Sequence, residues 1–296
     1  MAVVIQKAVQ PDPRWEYLYR VTRQFLSAWE KAFVAGVETL RDQATVAALE
    51  TALETGDVAV VVQNLPWQSA EEQWTSGWRP QLEQVMQRAG AAEVARLRLG
   101  MRFDIQNPFA LRWLESHLPQ LTGLVSEETR AAIRGVVLEG FQEGYAPRRM
   151  ARRIRQMVGL TERDALAVER YWANLAADGA LKAAQVDAMA DAYARKKLRE
   201  RALRIARHET VAAANAGTQT SWELARDQGL IAPNAVRVWI AASASDRTCP
   251  ICLDLDGQQR PLDEPFYSGV LGIEVDGPPV HTMCRCAMGL ETPVPE

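Results

Sequence analysis

From Ala183 to Gly229 the chain has no proline and a single internal glycine, Gly217. A stretch of that length without a breaker predicts one long helix or two nearly collinear helices. Within it, Leu198, Ala202 and Ile205 recur at i, i+4 and i+7, so one face is apolar, and continuing that face brings in Glu209 and Ala212. The residues before this rod agree with it. Helix start and stop signals recur at helical lengths and strand-like alternation hardly occurs, so the body of the chain is expected to be mainly α.

The signals can be followed from the start. Pro11 and Pro13 end an extended arm, after which Tyr19, Phe25, Trp29 and Phe33 recur near helical spacing through Val37 and Leu40, an aromatic stripe suited to a core. Gly56 followed by Asp57 reads as a helix stop and then an N-cap, so Val58 to Leu65 is expected to be a short helix despite its β-branched residues, with a strand as the alternative. Ser69 with Glu72 has capping-box spacing, and a helix carrying Trp74, Trp78 and Leu82 should begin there. Asn107-Pro108 is a break that opens a helix running toward Leu118, and Ser126 starts another that ends near Gly144. Helix restarts at Ala146-Pro147, and again at Thr161 with Asp164 before stopping at Asp178-Gly179. After Gly229 the character changes. Val236 to Ile240 suits a strand, and a turn-rich segment with many Gly, Pro and Asp residues follows, closing in a mobile tail, Thr292 to Glu296. The expected fold is a multi-helix body with a small C-terminal α+β module, divided as residues 1–122, 123–232 and 233–296.

No run reaches the roughly 20 apolar residues of a membrane span; the best uncharged run is Val58 to Pro66. No secretory signal is readable in the opening residues, so a cytoplasmic site of synthesis and no membrane partner are expected. The net charge of −3 is unevenly spread. Residues 1–125 carry 12 Lys and Arg against 14 Asp and Glu, residues 126–210 carry 17 against 12, and residues 211–296 carry 5 against 11. The basic middle holds two clusters. One is Arg148, Arg149, Arg152, Arg153 and Arg155; the other is Arg195, Lys196, Lys197, Arg199, Arg201, Arg204 and Arg207. Both read as solvated helix faces, with contact to nucleic acid or to an acidic protein surface as the alternative. Glu209 is a carboxylate on an apolar face and needs a cation or hydrogen-bond donors. A structural ion pair with Arg204 or Arg207 is expected; a general acid or base is the alternative.

All four cysteines fall in one short stretch: Cys249-Pro250-Ile251-Cys252, then His281-Thr282-Met283-Cys284-Arg285-Cys286. A Cys-x-x-Cys turn aims two thiolates at one ion, and His-x-x-Cys does the same from the other side, giving a tetrahedral nitrogen and sulfur site. Zinc is the expected ion. Only four ligands are needed, so either His281 or one of Cys284 and Cys286 is spare, and spacing does not choose among them. Five candidates favour a closed structural site over a catalytic one with an open position. The alternatives are a disulfide or plain reduced thiols. A metal would also let a turn-rich segment with few large apolar residues fold.

The ordered motifs Arg207-His208-Glu209-Thr210, Asn215-Ala216-Gly217, Trp222, Trp239-Ile240, Asp246-Arg247-Thr248-Cys249, Leu255-Asp256-Gly257, Pro265-Phe266, Gly277-Pro278-Pro279 and His281 to Cys286 resemble the phage Mu F-like head morphogenesis family. The family often has Thr where His208 stands and Pro where Thr282 stands, and neither departure touches a candidate ligand. The resemblance implies a minor capsid protein in the capsid interior at the portal vertex, and in the host cytoplasm during assembly. It implies the phage portal protein, the major capsid or scaffolding protein and packaged DNA as partners, and roles in head assembly, packaging or ejection. It also implies no enzymatic activity. A metal-dependent enzyme or effector delivered with the genome is the alternative, but no glycine-rich phosphate loop and no Gly-x-Ser-x-Gly elbow occurs, and His117 and His208 lie outside catalytic spacings. A nucleic-acid-binding zinc module is a third reading, for which residues 211–296 carry the wrong charge.

Overall fold

The computed structural model describes residues 13–177, 179–242 and 248–291. The arm before Pro13, Asp178, Asp246-Arg247, the tail from Thr292 and the side chain of Tyr19 lie outside the described residues. In chain order the elements are α1 (Pro13–Gln43), α2 (Val46–Glu54), α3 (Val58–Gln63), α4 (Trp67–Arg96), α5 (Pro108–Gln142), α6 (Pro147–Met157), α7 (Glu162–Ala177) and α8 (Ala183–Asp227). There follow β1 (Val236–Ile240), α9 (Pro250–Leu255), β2 (Gln259–Pro261), β3 (Phe266–Ser268), β4 (Ile273–Val275) and β5 (Ala287–Glu291). The chain is thus mainly helical, with a small strand-bearing module at its C-terminal end. Val58–Gln63 is helical because Asp57 caps it, accepting the Ala59 amide at 2.8 Å, while Gly56 takes a positive φ before it. The proline-free stretch is one helix of 45 residues.

Two expected starts move. Helix α4 begins at Trp67, ahead of Ser69, and the Trp67 indole N–H donates to the Val62 carbonyl at 2.7 Å. The helices expected from Pro108 and from Ser126 are a single one, α5, with Pro119 inside it. Ser126 is fully buried and donates to Glu71 at 2.6 Å instead of capping. A hydroxyl with a tertiary partner has no need of a chain terminus, so the capping signal was genuine chemistry in the wrong setting.

The chain divides into two compact units, one of residues 1–27, 80–115 and 204–296, the other of residues 28–79 and 116–203. In the second, Trp29, Phe33, Trp74 and Trp78 are buried and interleaved, with Trp74 and Trp78 stacked at 5.8 Å and the Trp74 indole N–H donating to the Phe33 carbonyl at 3.0 Å. Each ring contributes about 2–3 kcal/mol by burial. The aromatic stripe read from α1 is therefore core.

The same unit corrects the reading of the second basic cluster as a solvated face. Arg195, Lys196, Arg199 and Arg207 are exposed, but Arg201 is only 2% exposed. Its guanidinium donates to the carbonyls of Gly159 (2.7 Å) and Val125 (3.2 Å), to the Thr129 hydroxyl (3.0 Å) and to Glu128 (2.7 Å). Lys197 is half-buried, 3.2 Å from Glu200 and 3.6 Å from Asp164. A planar fork of five donors can join α5, α8 and the turn before α7 where no single carboxylate could.

In the first unit α8 runs against α4. A Cβ on Gly217 would sit 2.7 Å from the Met86 Cα and closer still to its carbonyl oxygen, so only glycine permits that backbone approach. Gly217→Ala is therefore expected to cost about 1–3 kcal/mol, despite the better helix propensity of alanine, because the obstacle is backbone that cannot rotate away. Thermal unfolding followed by circular dichroism should show a lower midpoint than wild type; an unchanged or higher one would rule out this close packing.

Candidate metal centre

The C-terminal module is built on α8. Strand β1 lies between β2 and β5, antiparallel to both, with Val236 opposite Glu291 and Ile240 opposite Ala287 in the β5 pairing. Strands β3 and β4 form a separate antiparallel hairpin. Asn215 on α8 joins the helix to β5: its Nδ2 donates to the Cys286 carbonyl at 3.2 Å and its Oδ1 accepts the Met288 amide at 3.1 Å. Trp222 enters the module's core beside Trp239, Leu255, Phe266 and Met288, with Trp239 and Phe266 edge to face at 5.2 Å. Its indole N–H donates to buried Glu93 at 2.8 Å, and Glu93 is gripped by Arg96 through two bonds of 2.7 Å. The expected shortage of core is thus made good partly by the helix. The module fills its interior with a tryptophan that precedes it in the chain.

Three of the four cysteines are part of that core: Cys252, Cys284 and Cys286 are buried and Cys249 is half-buried. Cys249 is the N-cap of α9, its sulfur accepting the Cys252 amide at 3.4 Å, with Pro250 in the first turn. That one turn of helix sets both sulfurs on the same side. The opposite wall is a tight turn in which the His281 carbonyl accepts the Cys284 amide at 2.9 Å. His281 Nε2 lies 3.2 Å from the sulfurs of both Cys249 and Cys252, and the sulfurs of Cys252 and Cys284 are 3.9 Å apart. Donor atoms gather as two trios, Cys249, Cys252 and His281 in one, Cys252, Cys284 and Cys286 in the other, each within 4.8 Å. A tetrahedral ion with bonds of about 2.0–2.3 Å holds its ligand atoms roughly 3.5–3.8 Å apart, the scale of the separations seen. The five residues therefore fit a metal ion, with Cys252 common to both trios.

The protonation pattern fits as well. Cys286 is held down to about 3 because the thiols of Cys252 and Cys284 both donate to it, against the effect of burial. Cys284 is pushed up to about 12: its contact with Cys252 lowers it, but donation to Cys286 and burial outweigh that. Cys252 is raised far above the ordinary thiol range, chiefly by donating to Cys284 and Cys286 and then by burial. Three sulfurs at this distance share one negative charge, and only a cation lets them all ionise. His281 is kept neutral by burial, the form that ligates. Its Nδ1 accepts the Met283 amide at 3.3 Å, so without a metal the ring proton sits on Nε2, facing the two sulfurs. Metal uptake must expel the proton of Cys252 and of each further thiol that ligates, so affinity should fall as pH falls. Competitive titration with a chromophoric chelator between pH 6 and 8 checks the sign; a pH-independent affinity would exclude thiolate ligands.

A profile of the family described as Phage Mu protein F like protein matches residues 131–289, more than half of the chain and all five candidate ligands. The chain belongs to this Mu F-like family. No curated protein and no solved structure matches it. One of the motifs that carried the resemblance, Asn215-Ala216-Gly217, now has physical roles: Asn215 is where α8 binds β5, and Gly217 is where it passes α4. As a phage head morphogenesis family, it is one of structural proteins.

The remaining residues singled out in the sequence are distributed as follows. Glu209 is buried, with Oε1 3.9 Å from Nε2 of His208, while Arg204 is half-buried and Arg207 exposed. Arg148, Arg149 and Arg152 are exposed, Arg155 is half-buried, and Arg153 is buried and donates to Glu169 at 2.9 Å. One side chain of the module escaped sequence reading. Arg237, within β1, is buried, lies over the Phe266 ring at 4.8 Å and donates at 2.5 Å to the carbonyls of Asp276 and Glu264. It fastens the segments before and after the hairpin to the sheet. In Val-Arg-Val-Trp-Ile its charge reads as an outward residue, and no local signal marks it otherwise.

Proposed function

We propose that this protein is a structural part of a tailed-phage head, a minor capsid protein of the portal vertex and capsid interior, whose C-terminal module is closed by a structural zinc ion. The observation that carries the reading is the placement of the five donors within the stretch that matches the family, three of them, Cys252, Cys284 and Cys286, built into the module's core beside Trp239 and Phe266. Zinc suits sulfur and imidazole donors in tetrahedral array. Cys249 and Cys252 with two of His281, Cys284 and Cys286 would hold it. The ion would supply crosslinking alone, since more donors than a tetrahedron needs leave no position for a substrate. Glu209 and the charges flanking it, Arg204 and Arg207, then serve to fix helix α8.

The module, with its acidic surplus, is the natural face for a basic partner surface, and portal, major capsid and scaffolding proteins are the candidates. Co-expression with the portal protein of the same phage tests this directly. Co-purification that survives washing, together with location of the chain at one vertex of an imaged particle, is the expected result. A chain absent from the particle but active on a metal-dependent substrate would replace this reading by the enzyme one.

A further inference from the structure

The first basic cluster is more than a row on a helix. Within the second unit, Arg148, Arg149, Arg152, Arg153 and Arg155 line one open cavity of about 690 Å³, together with Trp172. Val46, Ala146 and Ala184 give it an apolar wall. Asp187, the carboxylate among the lining residues, accepts the Trp172 indole N–H at 2.9 Å, and Arg153 is engaged from outside the lining by Glu169. Among the described residues Arg148, Arg149, Arg152 and Arg155 form no ion pair. Arg149 is held flat instead, its guanidinium 4.0 Å from the Tyr145 ring and 4.5 Å from that of Trp172. Arg153 lies on the same two rings at 4.9 and 4.8 Å. Helix α6 adds to the field. It opens at Ala146, which offers no side-chain cap, and places arginines in the first turn where acids normally answer the helix dipole.

Four unpaired guanidiniums in a space of this size repel one another, and the protein retains that cost while orienting one of them on aromatic rings. The arrangement is matched by a ligand that packs several negative charges into a small volume and presents flat forks of oxygen. Phosphates do so; a peptide would need about four acidic side chains converging in the same space. The apolar wall then suits a sugar or base between phosphates. A space of about 690 Å³ has room for part of a single strand or a frayed end but not for a whole duplex. We infer that the cavity between α6, α7 and the start of α8 is a binding site for the phosphates of a single nucleic-acid strand.

The inference uses no residue of the metal centre, and its failure would leave the head-assembly reading intact. The test is fluorescence anisotropy of the full chain with a labelled oligothymidylate of about 16 nucleotides, across a salt series. Contacts to four phosphates predict a slope of log affinity on log salt of about −3. The variant with Arg148, Arg149, Arg152 and Arg155 all replaced by Gln should lose at least tenfold in affinity and most of the slope. Arg148→Glu and Arg152→Glu, singly and at exposed positions, repeat the test should the quadruple variant fold poorly. An affinity within twofold of wild type in these variants, or a flat salt response, overturns the site. Inorganic pyrophosphate binding as tightly as the strand overturns the strand as its source. Displacement of the strand by polyglutamate at equal charge overturns phosphate in favour of an acidic protein surface.

Discussion

Cys252→Ser should reduce bound zinc from about one ion per chain to near zero, the largest single-residue effect expected here. Cys252 is the one donor shared by both trios and is itself part of the module's core, so its loss breaks the metal set and the packing together. Cys249→Ser should do less, because the buried trio of Cys252, Cys284 and Cys286 survives it. Structural zinc contributes on the order of 10 kcal/mol to the folding of peptides that have almost no core. Here Trp222, Trp239 and Phe266 give the module a core of its own, so the cost is expected to be nearer half of that and confined to the module. Elemental analysis gives the metal ratio, and hydrogen exchange at the β1 and β5 amides reports the local opening. Wild-type metal content and unchanged protection in Cys252→Ser would mean that the thiols are mere packing. Removal of the ion by a chelator should reproduce the variant's exchange pattern in the native chain.

Arg201→Met is expected to destabilise the chain by about 3–5 kcal/mol, a drop of roughly 10 °C in the unfolding midpoint. Methionine replaces the stem but none of the donors; it leaves the Gly159 carbonyl without its partner in a buried site and takes one of two partners from the Val125 carbonyl, which keeps the Thr129 hydroxyl at 2.8 Å. Glu128, which is 43% exposed, can turn to water, so most of the loss comes from the carbonyls and the Thr129 hydroxyl. Arg201→Lys should recover only part of it, since one ammonium group cannot reach all the oxygens on α5 and on the turn before α7 at once. Arg199→Met, two residues away and exposed, is the control and should move the midpoint by little. Equal effects at the two positions would show that Arg201 belongs to the solvated face after all.

That pair of arginines shows where reading the sequence stops. Seven basic residues between Arg195 and Arg207 look alike in sequence because charge is read without direction, and a helix turns each by about 100° from the last. Periodicity places Arg201 beside Ala202 and Leu198 near the apolar side, yet only the acceptors that α5 and the turn before α7 present, above all the Gly159 carbonyl, make burial favourable. Ser126 failed in the opposite sense. Its capping signal was local, and the tertiary partner Glu71 removed the need for a helix end.

What the sequence determined on its own was everything governed by short-range chemistry. The helical body, an unbroken helical stretch over α8 (one helix or two collinear ones), the Asp57 cap, the first strand and the convergence of four cysteines and one histidine all follow from spacing within a few residues or from ligand chemistry that admits few arrangements. Family membership was legible for the same reason, as short motifs in fixed order. Tertiary structure alone decided which charges are inside, that Trp222 belongs to the module's core, that Asn215 and Gly217 are contact points, and that five arginines of α6 line a cavity. These depend on which distant segments meet, and burial reverses the free energy of a charged or polar group according to whether a partner is there to receive it.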